Sequence, residues 1–128
     1  MARTVLVTGA SRGIGRAVAE KLLDGGHRVV GMARDFSGFP GERRQFRALE
    51  VDLADLSGLP ERLRSFQAEL DGIDAVVSCA GRGRFGHLEQ FSYEQIRGLL
   101  DLNFLSHAYL ARALLPGLKK RGEGDLVF

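Results

Sequence analysis

The run Thr8-Gly9-Ala10-Ser11-Arg12-Gly13-Ile14-Gly15 constrains this chain more than any other stretch. It follows Thr4-Val5-Leu6-Val7 and opens a helical pattern of Ile14, Ala17, Val18 and Leu22. A short buried strand that passes through a glycine turn into an amphipathic helix is the first half of a βαβ unit. Three glycines have separate tasks in it. Gly9 lets the chain leave the strand in a tight turn, Gly13 lets backbone approach a phosphate, and Gly15 lets the helix lie close to the sheet. The helix start also carries unpaired N–H groups and about half a positive charge, which together favour an anion.

The spacing TGxxxGxG close to the chain start resembles the cofactor fingerprint of the short-chain dehydrogenase/reductase family. Four later segments resemble that family in the same order: Arg34 after the second strand, Val51-Asp52-Leu53, Cys79-Ala80-Gly81, and Asn103 within Leu102-Asn103-Phe104-Leu105. The resemblance covers the whole chain, but only about the first half of a usual member.

Taken in order, Thr4 to Thr8 reads as a central parallel strand. A helix from about Gly13 to Asp24 stops at Gly25-Gly26, where glycine makes a left-handed cap easy. Residues 28–33 form a second strand. The stretch from Asp35 to Gln45 is too broken for the helix that family members carry there, since Ser37-Gly38-Phe39-Pro40-Gly41 is turn chemistry. That departure either exposes part of one sheet face or leaves Phe36 and Phe39 to cover it. Phe46 to Val51 is a third strand, and Leu59, Leu63, Phe66 and Leu70 mark one helix with Pro60 near its start. Residues 75–78 give a fourth strand, and Ser92 with Gln95 makes a capping box for the next helix. Apolar spacing continues through Leu99, Leu102, Leu105, Leu114 and Leu118, with Pro116 expected to kink or end the regular helix. Leu126-Val127-Phe128 begins a fifth strand.

Strands alternating with helices predict an α/β fold: a Rossmann-type doubly wound parallel sheet in the order 3-2-1-4-5. Its ligand crevice lies where the winding reverses, between the first and fourth strands. Residues 1–128 read as one dinucleotide-binding domain. Two further strands usually follow in the family, so the sheet is expected to be incomplete at its C-terminal edge.

The resemblance implies a nicotinamide dinucleotide held by Gly9, Ser11, Arg12, Gly13, Ile14 and Gly15 at the pyrophosphate. Dinucleotide choice rests on the end of the second strand, where a carboxylate would accept from a ribose 2′-OH. Arg34 stands there instead, followed by Asp35, and Arg12 lies inside the glycine loop. Two guanidiniums suit a 2′-phosphate, which predicts NADP(H) in preference to NAD(H) unless Asp35 turns inward. Asp52 resembles the family aspartate that accepts from the adenine amino group, with Leu53 as its apolar companion. Ala80 and Gly81 match the last two positions of the family's Asn-Asn-Ala-Gly segment. Ser78 and Cys79 take the asparagine places, where a thiol cannot replace an amide's hydrogen bonds, so the link between neighbouring strands is expected to be weaker. Cys79 reads as a packed small residue, not a nucleophile.

The family's proton-transfer group is a serine, a tyrosine, and a lysine four residues after the tyrosine, helped by an asparagine that Asn103 matches. Tyr93 is followed four places on by Arg97, and Tyr109 by Ala113. The expectation is therefore an N-terminal part of an NADP(H)-dependent oxidoreductase acting on a carbonyl or secondary alcohol, truncated before those residues and inactive alone. The alternative is a non-catalytic NADP(H)-binding or protein-interaction module complete at residue 128. A homo-oligomer through the helices from Ser92 to Lys120, with Tyr109 and Leu118 exposed, is a further implication of the resemblance.

Composition adds exclusions. A net charge of +2 does not by itself argue for nucleic acid, even with a pI near 9. The single cysteine leaves no intramolecular disulfide and fits a reducing cytoplasm. No apolar run approaches the ~20 residues of a membrane span. His27, His87 and His107 are too scattered to suggest a metal site. Arg82, Arg84 and Phe85 read as a solvated loop near the substrate mouth.

Overall fold

The computed structural model describes residues 2–39 and 43–128. Its elements are β1 (Thr4–Thr8), α1 (Gly13–Asp24), β2 (Arg28–Ala33), β3 (Phe46–Glu50), α2 (Leu59–Ser65), α3 (Gln67–Leu70), β4 (Ala75–Ser78), α4 (Tyr93–Leu100), α5 (Ser106–Arg121) and β5 (Asp125–Val127). The five strands are all parallel and run β3-β2-β1-β4-β5, as expected. β1 lies at the centre, pairing Val7 with Gly31 on one side and Val77 on the other. Its residues from Val5 to Thr8 are buried, which is why the strand reads as continuously apolar instead of alternating.

Two apolar layers sandwich the sheet. One gathers Leu6, Met32, Leu49, Leu59, Leu63, Leu70, Val76, Leu110, Leu114 and Leu118 under α2, α3 and α5. The other gathers Val5, Val7, Ala19, Leu23, Val29 and Ala75 beneath α1. α1 closes as anticipated: Gly26 has φ +85° and donates to Leu23, while His27 donates to Leu22. That pair of backbone bonds satisfies carbonyls the helix would otherwise leave open.

No helix occupies the described part of the β2–β3 crossover. Phe39 bonds back to Phe36 in a turn, and Phe36, Phe39 and Phe46 form an aromatic cluster on the α1 side. Phe39 stacks on Phe46 with centroids 4.4 Å apart, and the Phe46 ring lies against Gly31, where a Cβ would come within 2.7 Å of it. The turn expected at Pro40 and Gly41 lies outside the described residues.

Several details differ from the sequence reading. β3 ends at Glu50, although Val51 still donates to the Ala33 carbonyl at 2.9 Å. The helix expected from Leu59 to Leu70 is two pieces separated at Phe66, whose φ of −99° and ψ of 13° leave the helical range. Pro116 does not end its helix, which runs on to Arg121. Pro116 and Arg112 are both exposed, so water can take the carbonyl deprived of its partner, while Leu114 and Leu118 anchor the inner face. Leu118 is not a surface residue: it is buried in the core, because α5 lays its 110-114-118 stripe on the sheet. Tyr109 is only partly exposed and packs against the same core. The apolar side chains that α4, α5 and their junction do expose are Tyr93, Leu100, Phe104 and Leu115.

Between α4 and α5, residues Asp101–Leu105 form a π-helical turn. One turn is widened by a residue, a feature that apolar spacing alone conceals and that often marks a functional position. Asn103 sits inside it.

Candidate functional site

The strand ends, the glycine turn and the loops after β2, β3 and β4 open into one cleft of ≈ 980 Å³. Gly9, Ser11, Arg12, Gly13, Ile14, Gly15, Arg34, Asp52, Leu53, Ala80 and Gly81 all line it. Eleven of the twelve site residues read from sequence therefore meet at the crevice between β1 and β4. Asn103 does not line it and stands behind its wall.

The glycines divide their work as their backbone requires. Gly9 has φ +67°, and a Cβ there would lie 3.0 Å from the Ala80 backbone, so the turn packs directly on the segment after β4. A Cβ on Gly15 would lie 2.1 Å from the Gly9 carbonyl oxygen. Gly13, at φ +60°, faces open space. Met32 accepts from the Gly9 and Ala10 amides at 2.8 and 3.3 Å, fixing the start of the turn to β2. The N-cap of α1, Arg12, makes no side-chain bond, and the first turn carries no acidic residue. By contrast Ser92 and Gln95 cap α4 reciprocally at 3.1 and 3.0 Å. The uncapped start of α1 therefore keeps its donors and partial positive charge for an anion in the cleft. An open glycine and a free helix end fit the pyrophosphate of a dinucleotide.

On the β2 side of the cleft stand Arg34, Asp35, Ser37 and Gly38, and Arg12 and Arg16 line the same cleft from the start of α1. Asp35 is occupied locally: Ser37 donates its backbone N–H to Oδ1 at 2.8 Å and its hydroxyl to Oδ2 at 3.0 Å. Those two bonds hold the Asp35 carboxyl below its ordinary pKa. Arg12 and Arg34 form no ion pair among the described residues. Asp52 accepts from the Ala54 amide at 3.0 Å and stays exposed on the cleft wall.

The segment after β4 contributes Cys79, Ala80, Gly81 and Arg82, and Leu102 lines the same cleft. The Thr8 hydroxyl accepts from the Ala80 amide at 3.0 Å, tying β1 to the segment after β4. Ser78 contributes no such link, since its hydroxyl is enclosed without a partner among the described residues. Burial raises the Cys79 thiol pKa, which leaves it a poor nucleophile. Behind the wall the Asn103 amide accepts from the Arg82 N–H at 2.8 Å and donates to the Arg82 carbonyl at 2.7 Å. Phe85 is fully exposed, as a solvated loop residue should be.

Sequence reasoning missed Thr8 and Ser37, and read Arg16 only as one of the arginines of the first third, either a solvated face or a phosphate-attracting patch. Thr8 read as a strand end, but a hydroxyl facing the loop after β4 is visible only once the strands are paired. Ser37 two residues after Asp35 was a legible signal for a local side-chain turn. No group of three or more His, Cys, Asp or Glu among the described residues is placed to hold a metal ion. No helix among them is long and apolar enough to cross a membrane.

The sequence matches the family model for short chain dehydrogenases over residues 3–128. An uncharacterized oxidoreductase of Myxococcus xanthus is 35% identical over 98% of this chain and 52% of its own. A short-chain dehydrogenase from Sphingobium yanoikuyae, solved in complex with NADPH, is 31% identical with a TM-score of 0.79, over 97% of this chain and 51% of that one. Another from Leptospira borgpetersenii, solved with bound NAD+, shares the fold at a TM-score of 0.85 and 21% identity, over 98% of this chain and 50% of its own. The chain spans about half the length of the relatives it matches.

Proposed function

The chain belongs to the short-chain dehydrogenase family, and from that premise we propose that its cleft binds NADP(H) in preference to NAD(H), for exchange of hydride with a carbonyl or secondary alcohol. The observation that carries the preference is that Arg12 and Arg34 line the same cleft, with both Asp35 oxygens turned to Ser37. A carboxylate so engaged is a poor acceptor for a ribose 2′-OH, whereas two guanidiniums offer charge-assisted bonds to a 2′-phosphate. The NADPH complex of a relative at 31% identity supports the same reading.

The bound nicotinamide supplies the hydride. The residues of this chain bind and orient. The start of α1 and the open side of Gly13 take the pyrophosphate, Asp52 and Leu53 the adenine, and Ala80 and Gly81 allow close approach to the second ribose. Asn103 is a positioning residue that fixes the loop at Arg82. Neither tyrosine has a lysine four places on, so the 128 residues supply the dinucleotide site without the family's Tyr-x-x-x-Lys pair. The exposed Tyr93, Leu100, Phe104 and Leu115 give the oligomer expected through residues 92–120 its apolar contacts.

Titration of NADPH and NADH into the purified chain tests the assignment. NADPH is expected to bind at least about tenfold more tightly, the value of one charged hydrogen bond. Equal affinities, or tighter NADH, overturn the preference. No NADPH-linked carbonyl reduction is expected from the chain alone, and measurable turnover contradicts the reading that proton transfer lies outside it.

A further inference from the structure

Resting on that reading, we propose that Arg16 is a third guanidinium of the 2′-phosphate corner and a determinant of dinucleotide choice, held there by Glu20 and Phe39. Arg12 is the extended N-cap of α1 and Arg16 stands in the helix's first turn, its amide donating to the Arg12 carbonyl at 3.3 Å. Both line the cleft with Arg34 and Ser37.

Two supports fix the side chain. Its Nε donates to Glu20 Oε1 at 3.0 Å, and its guanidinium carbon lies 5.7 Å from the centroid of the Phe39 ring. Phe39 rests on Phe46, and Phe46 on Gly31 of β2, so contacts run from the central sheet to this guanidinium. The aromatic cluster in the β2–β3 crossover thus also supports a cleft residue. With Nε committed to Glu20, the two Nη groups carry the donors suited to a phosphate oxygen. Glu20 offsets part of the Arg16 charge, but Arg12 and Arg34 add theirs without an ion pair among the described residues. The corner stays net positive.

The test is calorimetric titration of 2′,5′-ADP and of 5′-AMP into the full chain, wild type and variants, with thermal melts alongside. Wild type is expected to favour 2′,5′-ADP. Arg16→Gln is expected to weaken 2′,5′-ADP about five- to tenfold, somewhat less than a fully buried charged bond gives, while leaving 5′-AMP unchanged. Arg16→Lys should restore part of the loss. Phe39→Leu keeps every charge and should also lower 2′,5′-ADP affinity selectively, and it carries the test if Arg16→Gln fails to fold. Wild-type discrimination retained in both Arg16→Gln and Phe39→Leu overturns the role of Arg16 and leaves the NADP(H) assignment standing. A wild type that does not discriminate overturns that assignment, and this inference with it.

Discussion

The side-chain amide of Asn103 holds the backbone of Arg82 from both sides, accepting from its N–H at 2.8 Å and donating to its carbonyl at 2.7 Å. The two residues lie 21 positions apart, and the contact closes the wall of the cleft where β4 ends. A Cβ on neighbouring Gly81 would lie 3.0 Å from the Asn103 oxygen, so the fit leaves little slack. Asn103→Ala is expected to cost about 1–2 kcal/mol, the net worth of two partly solvated hydrogen bonds. Hydrogen exchange at the Arg82 amide checks it directly, since that amide should lose protection while β1 amides keep theirs.

Gly13 and Gly15 stand two residues apart and should respond differently to alanine. At Gly15 the new methyl meets the Gly9 carbonyl oxygen at 2.1 Å, and backbone cannot step aside cheaply. The expected cost is about 3 kcal/mol. At Gly13 the methyl meets nothing, so only the left-handed backbone penalty of about 1–2 kcal/mol remains. Denaturant melts of the two variants rank them, and a Gly15→Ala protein as stable as Gly13→Ala would refute the packing described.

Leu118→Ala should destabilise by about 2–5 kcal/mol, because its side chain fills the core beneath α5. Tyr93→Ala, at 93% exposure, should move stability by no more than about 0.5 kcal/mol. On the proposed oligomer, Tyr93→Ala is expected to weaken self-association, which sedimentation at several concentrations reads separately.

His107 gives the fold a pH dependence. Burial lowers its pKa below the ordinary 6.5, partly opposed by a hydrogen bond to the Ala80 backbone. The folded state therefore takes up its proton at lower pH than the unfolded state does. Stability from this group is fully present above about pH 6.5 and is lost as pH falls through the folded value. Replacing His107 with leucine should flatten the decline in melting temperature just below pH 6.5, and an unchanged slope would assign the decline to other groups.

Cys79 should react with thiol reagents more slowly than free cysteine at neutral pH, since burial raises its pKa from 9.0. Its position on the cleft wall adds a second readout: bound NADPH should slow the reaction further.

Whatever depends on neighbours along the chain was legible before folding. Buried strands, a glycine corner entering a helix, the left-handed cap at Gly26 and the Ser92–Gln95 box all follow from local backbone chemistry and side-chain period. Their alternation was enough to order the sheet and bring eleven site residues to one crevice. Tertiary structure alone decided which side chains face inward and what they touch across long separations. Leu118 and Tyr109 have a spacing that suits either a core or a surface, and only the sheet beneath α5 distinguishes the two. The grip of Asn103 on Arg82, the Thr8–Ala80 link and the aromatic seat of Arg16 join segments that no periodicity relates, so they come into being only when the chain has folded back on itself.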